Sequence, residues 1–187
     1  MMKLIIASIT ALLFCSKLLA TDSEVGLWYT GANPDYKPFE SEYGFAFTIS
    51  SQYDSGLFSK LLHNDTDFRA SGPEVGGVQI QSWTEVGMGY TFPEQWGNFY
   101  SYLSYSSIDS ALTSYSGLGI HLGYEKHWSK SWRGLIQFGY IDTDFHDFQL
   151  EGQLFYQLND DFSVNLGLRD YHDWDYTSYE AGITYYF

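Results

Sequence analysis

The last eleven residues decide the fold of this chain: Thr177-Ser178-Tyr179-Glu180-Ala181-Gly182-Ile183-Thr184-Tyr185-Tyr186-Phe187. Counting back from Phe187 in steps of two gives Tyr185, Ile183, Ala181 and Tyr179, which form an apolar face, whereas most positions between them are small or polar. An alternation of period two indicates a β-strand whose two faces lie in different environments. The chain therefore ends in a predicted strand with one apolar and one polar face.

This stretch resembles the closing strand of bacterial outer-membrane β-barrels. In that family the assembly machinery reads the terminal aromatic residue and the alternating apolar positions. The resemblance therefore implies the barrel-assembly machinery as a partner. It implies an assembly signal at Tyr179, Ile183, Tyr185 and Phe187.

The N-terminus has the features of a secretory signal peptide. Lys3 precedes an apolar run over 4–14, and Ala20 is followed by an acidic segment. A membrane-spanning helix needs roughly 20 apolar residues, about twice the length of this run. We therefore expect a signal peptide over 1–20 and a single barrel domain over 21–187.

The only cysteine, Cys15, lies inside the predicted signal peptide, so we expect no disulfide in the mature chain. A lipoprotein acylated at Cys15 is an alternative, which the bulky Phe14 before it disfavours. Two of the nine basic residues, Lys3 and Lys17, also lie in this segment, which leaves seven against 23 acidic residues. Such a negative charge excludes nucleic acid as a partner.

The composition is typical of a membrane barrel. Phe, Tyr and Trp make up 20% of the chain, which has 18 glycines and only four prolines. Aromatic residues form girdles at both membrane interfaces of such barrels. Tryptophans near strand ends are expected to be interface anchors. These are Trp96, Trp128, Trp132 and Trp174.

Alternation predicts seven strands between Val78 and Phe187, in which Val78, Ile80 and Val86 share one face. Short connections at about 93–98, 129–131 and 159–161 join some of these strands. The connection at 129–131 is expected to place Leu122 opposite Phe138 on the neighbouring strand. The longer polar connections are predicted loops, and any partner is expected to bind there. They cover 52–77, 108–116, 142–147 and 170–176.

Short turns face the periplasm in outer-membrane barrels, and long loops face outward. Both termini are then periplasmic, which requires an even number of strands. A strand over 42–51 makes eight, which is our prediction for this closed antiparallel transmembrane barrel. Ten strands result if 25–30 and a segment near 57–62 also cross the membrane.

A soluble antiparallel barrel or sandwich would show the same alternation. It would carry mixed charges on its outer face, whereas the apolar faces here have almost no charged residue. The polar faces consist mainly of Gly, Ser, Gln and Asn. This pattern favours a wall that faces lipid around a packed polar interior, in the outer membrane of a Gram-negative bacterium.

The charged residues of the polar faces are expected to form a network in the lumen. In the predicted registers Glu151 lies opposite Arg169, and Glu125 lies diagonal to Arg133. A buried charge without a partner costs several kcal/mol, so such pairs are expected. The predicted set is Glu85, Glu125, Arg133, Glu151, Arg169 and Glu180, with His121 beside it.

The strand pattern over about 42–187 resembles the OmpA/OmpX type of eight-stranded barrel. Barrels of that size are filled by side chains and leave no wide pore. The resemblance implies a structural or surface-interaction protein, which is a monomer in contact with outer-membrane lipid and lipopolysaccharide. It implies neither enzymatic activity nor a cofactor, and a narrow ion channel is one alternative.

A lipid A-modifying enzyme is the other alternative. The segment Gly167-Leu168-Arg169-Asp170-Tyr171-His172 is similar to the penultimate strand and following histidine of PagL-type acyl hydrolases. That family has a nucleophilic serine two residues after the histidine, where this chain has Trp174. A His-x-Ser triplet occurs instead at His127-Trp128-Ser129, in a predicted periplasmic turn away from outer-leaflet lipid A.

Two predicted loops are rich in aspartate and also hold His146 and His172. Closely spaced carboxylates can bind Ca²⁺ or Mg²⁺. The calcium-loop motif is missing, however, so solvated acidic loops are the expectation and no metal site is predicted. The weak candidates are Asp142, Asp144, Asp147, Asp170, Asp173 and Asp175.

Overall fold

The computed structural model describes residues 20–34, 42–69, 78–144 and 146–187, so residues 1–19 of the predicted signal peptide lie outside the described residues. The described chain forms eleven β-strands. They are β1 (Asp22–Pro34), β2 (Glu42–Gln52), β3 (Leu57–Asp65), β4 (Phe68–Arg69), β5 (Gln79–Glu94), β6 (Gly97–Ser110), β7 (Ser114–His127), β8 (Trp132–Asp142), β9 (His146–Gln157), β10 (Phe162–Tyr171) and β11 (Tyr176–Tyr186). No helix of the described residues has the length and apolar character needed to cross a membrane.

Ten of these strands close into one antiparallel barrel. Each pairs with the next strand of the wall along the chain, and the barrel closes where β1 pairs with β11. β5 pairs with β3, and the two-residue β4 pairs with β5 at Ile80 and Gln79, beyond the end of β3. The ten described wall strands therefore leave no sheet edge open.

The prediction of eight strands is wrong, because β1 and β3 also belong to the wall. β3 lies in a segment that was predicted to be a loop. It carries apolar residues on both faces, since Leu57 is 45% exposed and points outward whereas Phe58 and Leu62 are buried inside. Such a strand does not show the alternation by which the others are recognised.

Three other predicted loops are shorter than expected because their strands extend further. Ile108 lies in β6, Asp147 in β9 and Tyr171 in β10, and all three side chains are buried. The connections 111–113 and 172–175, and the one between Asp142 and His146, lie at one end of the barrel, the loop end. The turns 53–56, 95–96, 128–131 and 158–161 lie at the opposite end, the turn end, together with Asp22 and Phe187.

The outer face of the wall has three zones. The middle zone is an aliphatic belt of exposed side chains, formed by Leu27, Val86, Met88, Leu103, Ile120, Leu122, Ile136, Leu150, Val164, Leu166, Leu168 and Ile183. Exposed aromatic side chains border this belt at both ends. The turn-end girdle is Tyr90, Phe92, Phe99, Trp132, Tyr156, Phe162 and Tyr185, and the loop-end girdle is Tyr29, Tyr43, Phe45, Tyr105, Phe148 and Tyr179.

Ile80 does not lie on the outer face with Val86, as its parity predicted, but is 3% exposed inside the barrel. The register between β5 and β6 shifts between Ile80 and Ser82, which indicates a β-bulge. A bulge inserts one residue and so exchanges the faces on its two sides. Ile80 and Trp83 therefore both point inward, and Val78 packs against the same cluster.

Candidate functional site: the barrel interior

An apolar cluster fills the interior at the loop end. Its buried members, the aromatic plug, are Ile80, Trp83, Ile108, Ile141, Tyr171, Trp174 and Tyr176. The Trp174 ring stacks on Tyr171 with centroids 5.5 Å apart and lies 5.7 Å from Trp83. Trp174 was expected to be an interface anchor, but it is 1% exposed and closes the lumen instead.

The turn between β10 and β11 holds Trp174 in the plug. The buried Asp147 carboxylate accepts a hydrogen bond of 2.9 Å from the backbone N–H of Asp173. The backbone N–H of His172 donates to the carbonyl of Phe148 at 2.9 Å. Asp175 has a left-handed backbone with φ of 55°, a conformation that Asp tolerates better than most residues. Strand β9 thus fixes this turn from outside the plug.

Below the plug lies the ion network, which consists of Glu85, Glu151, Arg169 and Glu180. The Arg169 guanidinium lies 3.0 Å from Glu151 and 3.7 Å from Glu180. Glu85 accepts a hydrogen bond of 3.0 Å from the Tyr102 hydroxyl. All four side chains are buried, so each carboxylate depends on these donors in place of water.

His121 lies beside the ion network and stacks on Tyr102, with ring centroids 4.1 Å apart. Its Nε2 lies 2.9 Å from the Ser104 hydroxyl. A serine nucleophile and its histidine base in an enzyme lie at a similar distance. Ser104 is 3% exposed and His121 is 0% exposed, however, so no substrate reaches this pair. The two residues pack the interior.

Arg133 forms the centre of a second cluster, nearer to the turn end. Its guanidinium lies 3.1 Å from Glu24 and 3.3 Å from Glu125. It also donates to the Tyr186 hydroxyl at 3.1 Å and lies 3.9 Å from the centroid of the Phe155 ring. The side chain therefore connects β8 to β7, to β9 and to the seam between β1 and β11.

A cavity of about 110 Å³, the chamber, lies beside Arg133 inside the barrel. It shares Glu24, Glu125 and Arg133 with a wider space of about 760 Å³ at the turn end, the vestibule. Lys60 of β3 lines the chamber, and its Nζ lies 5.5 Å from the centroid of the Tyr102 ring. Sequence reasoning missed Lys60 because its strand had been interpreted as a loop.

Among the described residues, neither histidine of the hydrolase alternative has a serine positioned as a nucleophile. His127 lies at the turn end with its Nε2 3.4 Å from Glu125. The Ser129 hydroxyl accepts hydrogen bonds of 3.2 Å from the N–H groups of Ser131 and Trp132, and so stabilises its own turn. His172 lies in the exposed turn that carries Trp174.

The acidic residues of the loop end are dispersed. Among the residues that the structure describes, no three His, Cys, Asp or Glu side chains converge as a metal site. Asp142 lies 3.3 Å from His146, and Asp170 accepts a hydrogen bond of 2.8 Å from the Thr177 hydroxyl. Asp144 is exposed in its connection, and Asp175 is exposed in the turn after β10.

The side chains of the predicted assembly signal lie on the outer face of β11. Tyr179, Ile183 and Tyr185 are exposed on the wall, and the Tyr185 ring stacks on Phe187 with centroids 5.6 Å apart. The backbone N–H of Phe187 donates to the carbonyl of Ser23 at 3.0 Å. The end of the chain therefore lies at the seam.

No family model matches the chain, and no curated protein matches its sequence. Solved structures share its outline at low identity. The KdgM porin is 12% identical to this chain, with a TM-score of 0.48, and the match covers 86% of this chain and 98% of the porin. OprG from Pseudomonas aeruginosa is 15% identical, with a TM-score of 0.43, and the match covers 90% of this chain and 97% of OprG. Ail of Yersinia pestis, solved with the heparin analogue sucrose octasulfate, has 11% identity, 89% and 97% covered, and a TM-score of 0.38.

At these identities the likeness concerns the fold alone. The strand pairing itself defines the class of this protein as a closed antiparallel β-barrel with ten strands in its wall. Its interior has three described layers, which are the aromatic plug, the ion network and the chamber.

Proposed function

We propose that the chain is an integral outer-membrane β-barrel of a Gram-negative bacterium that acts as a structural or surface-interaction protein without an open pore. The observation that carries the proposal is the outer face, where an aliphatic belt lies between two aromatic girdles. Removing one Val, Leu or Ile side chain from water is worth about 1.5–3 kcal/mol. Twelve exposed aliphatic side chains of this belt favour a wall that faces lipid.

The lengths of the connections suggest how the barrel is oriented. The two longest separations between consecutive strands, from Pro34 to Glu42 and from Arg69 to Gln79, both begin and end at the loop end. Long loops face outward in outer-membrane barrels and short turns face the periplasm, which would place the turn end and both termini in the periplasm. The loop end then faces outward, and eight described aspartates lie there. Its acidic residues are Asp65, Asp67, Asp109, Asp142, Asp144, Asp170, Asp173 and Asp175.

The proposed partners follow from these surfaces. Membrane lipid and lipopolysaccharide would contact the belt and the loop-end girdle. The barrel-assembly machinery would read Tyr179, Ile183, Tyr185 and Phe187, three of which are exposed on β11. The barrel closes on itself within one chain, and a monomer is therefore proposed.

The interior supports a closed lumen and a role without catalysis. Trp83, Trp174 and Tyr171 fill the loop end, and the buried ion network lies directly below them. Neither His127 nor His172 has a serine positioned as its nucleophile among the described residues. We accordingly propose neither a cofactor nor an acyl hydrolase activity.

Membrane fractionation with heat-modifiable migration tests the proposal. The protein is expected in the outer-membrane fraction and should change its position on a detergent gel only after boiling, since a closed barrel resists unfolding in detergent. Recovery from the soluble periplasm, or identical migration before and after boiling, would overturn the membrane assignment.

Two further measurements address the role. Planar-bilayer recordings are expected to show no conductance steps, because the plug closes the lumen. Mass spectrometry of lipid A is expected to show the same acylation with and without the protein. Conductance steps would refute the closed lumen. The role without catalysis would be refuted if the wild-type protein removed acyl chains from lipid A and the His172→Ala variant did not.

A further inference from the structure

The chamber and the vestibule are neighbouring spaces that share part of their lining, and the vestibule lies at the turn end. Glu24, Glu125 and Arg133 line both, together with Ser50, Gln52 and Thr91. Gln153 lines the chamber and donates a hydrogen bond to Glu151 of the ion network, which lies beyond the chamber toward the loop end. A ligand therefore reaches the chamber from the turn end.

Negative charge dominates the described lining of this space. Six carboxylate side chains line the chamber and vestibule, against the two cations Lys60 and Arg133 and one histidine, His127. A cleft lined mainly by one sign of charge concentrates ligands of the opposite sign. The six are Asp22, Glu24, Asp54, Glu125, Asp160 and Asp161.

The inner end of this acidic lining is the cluster around Arg133. Two carboxylates, Glu24 and Glu125, share its single guanidinium, so the cluster keeps a surplus negative charge. Their side chains are 29% and 20% exposed, and both line the vestibule as well as the chamber. A second cation can thus reach these carboxylates from the turn end.

The wall beside the carboxylates is aromatic. Trp28, Phe58, Tyr100 and Phe155 line the chamber. The protein already places its own cations on rings here, with the Arg133 guanidinium 3.9 Å from the centroid of Phe155. Aromatic faces attract cations, and they also pack against an alkyl chain.

We propose that the chamber and vestibule bind a small aliphatic amine, and that a linear diamine is the best match. One ammonium group pairs with Glu24 and Glu125, the alkyl chain lies against Trp28 and its aromatic neighbours, and the second ammonium group meets the aspartates of the vestibule. Lys60 opposes this binding by charge repulsion from the inner end. An anion of the same size is excluded.

Isothermal titration calorimetry on the protein purified from the membrane in detergent tests this site. The probes are 1,4-diaminobutane, butylammonium and butyrate, which share a four-carbon skeleton. We expect the diamine to bind more tightly than the monoamine, and butyrate to give no heat of binding. Added salt should weaken the binding of the diamine, because salt screens the attraction between charges that are exposed to water.

Three variants are expected to change the affinity for the diamine in three different ways. Glu24→Gln should lower the affinity for the diamine about tenfold or more. Lys60→Met should raise the affinity, because it removes the opposing charge. Glu94→Gln should leave it unchanged, since Glu94 lies on β5 outside the lining of both spaces.

Each variant is first tested for heat-modifiable migration, so that loss of binding is separated from loss of the barrel and from failure of the proposed membrane function. The site is refuted if the diamine gives no heat of binding with a folded barrel, or if Glu24→Gln binds as the wild type does. Binding of butyrate that Lys60→Met abolishes would also refute it, because the chamber would then be an anion site.

Discussion

The Arg169 guanidinium lies 3.0 Å from the Glu151 carboxylate in the middle of the barrel, and each of the two side chains is only 3% exposed. Arg169 is also the cation nearest to Glu180, at 3.7 Å. Its loss would leave two buried carboxylates without their ion-pair partner.

The variant Arg169→Met is therefore expected to destabilise the barrel by about 3–5 kcal/mol, the usual cost of breaking a buried ion pair from one side. Urea unfolding in detergent or lipid measures this change. The double variant Arg169→Met with Glu151→Met should recover part of the loss, because it removes one stranded charge as well. A double variant less stable than the single one would contradict this explanation.

Part of this interior could be predicted from the sequence, because alternation assigns faces wherever a strand has one polar and one apolar side. The predicted pairing of Leu122 with Phe138 is present in β7 and β8. The register that places Glu151 opposite Arg169 is present in β9 and β10. Both hairpins have short turns, which leave few alternative registers.

Other features could not be predicted because they break that alternation. Lys60 lies in β3, where Phe58 and Leu62 put apolar side chains inside the barrel. The bulge after Ile80 reverses the faces of β5, and no local residue type marks it. The plug depends on Trp174, whose inward position is fixed by a hydrogen bond between Asp147 and a turn 26 residues away.

Arg133 is expected to stabilise the closure of the barrel, since it bonds Glu24 of β1 and the Tyr186 hydroxyl of β11. Hydrogen bonds to charged groups are worth about 1.5–3 kcal/mol each, so Arg133→Met should unfold at a clearly lower temperature in the heat-modifiability assay. Lys130→Met is the matched control, because Lys130 is exposed in the turn at 128–131. Equal unfolding temperatures for the two variants would argue against a role of Arg133 at the seam.

Trp174 is expected to be the most stabilising residue of the turn at 172–175. Trp174→Ala removes a side chain that is 1% exposed between Trp83 and Tyr171, and loss of a buried aromatic residue costs about 3–5 kcal/mol. Chemical unfolding measures the loss. Trp96→Ala should have a much smaller effect, since Trp96 is 72% exposed. A larger effect at Trp96 would mean that an exposed aromatic residue at the turn end, and not the plug, determines stability.

The wall also contains glycines that the packing requires and one that it does not. A Cβ at Gly89 would overlap the backbone oxygen of Ser101 and the side chain of Tyr102, whereas a Cβ at Gly152 would meet no atom within 4 Å. Overpacking costs about 1–3 kcal/mol, so Gly89→Ala should destabilise the barrel by that amount. Gly152→Ala should unfold at the same denaturant concentration as the wild type or at a slightly higher one, because alanine reduces the conformational freedom of the unfolded chain. Unfolding curves of the two variants in the same detergent test this, and a stable Gly89→Ala would show that β5 and β6 can separate to admit the methyl group.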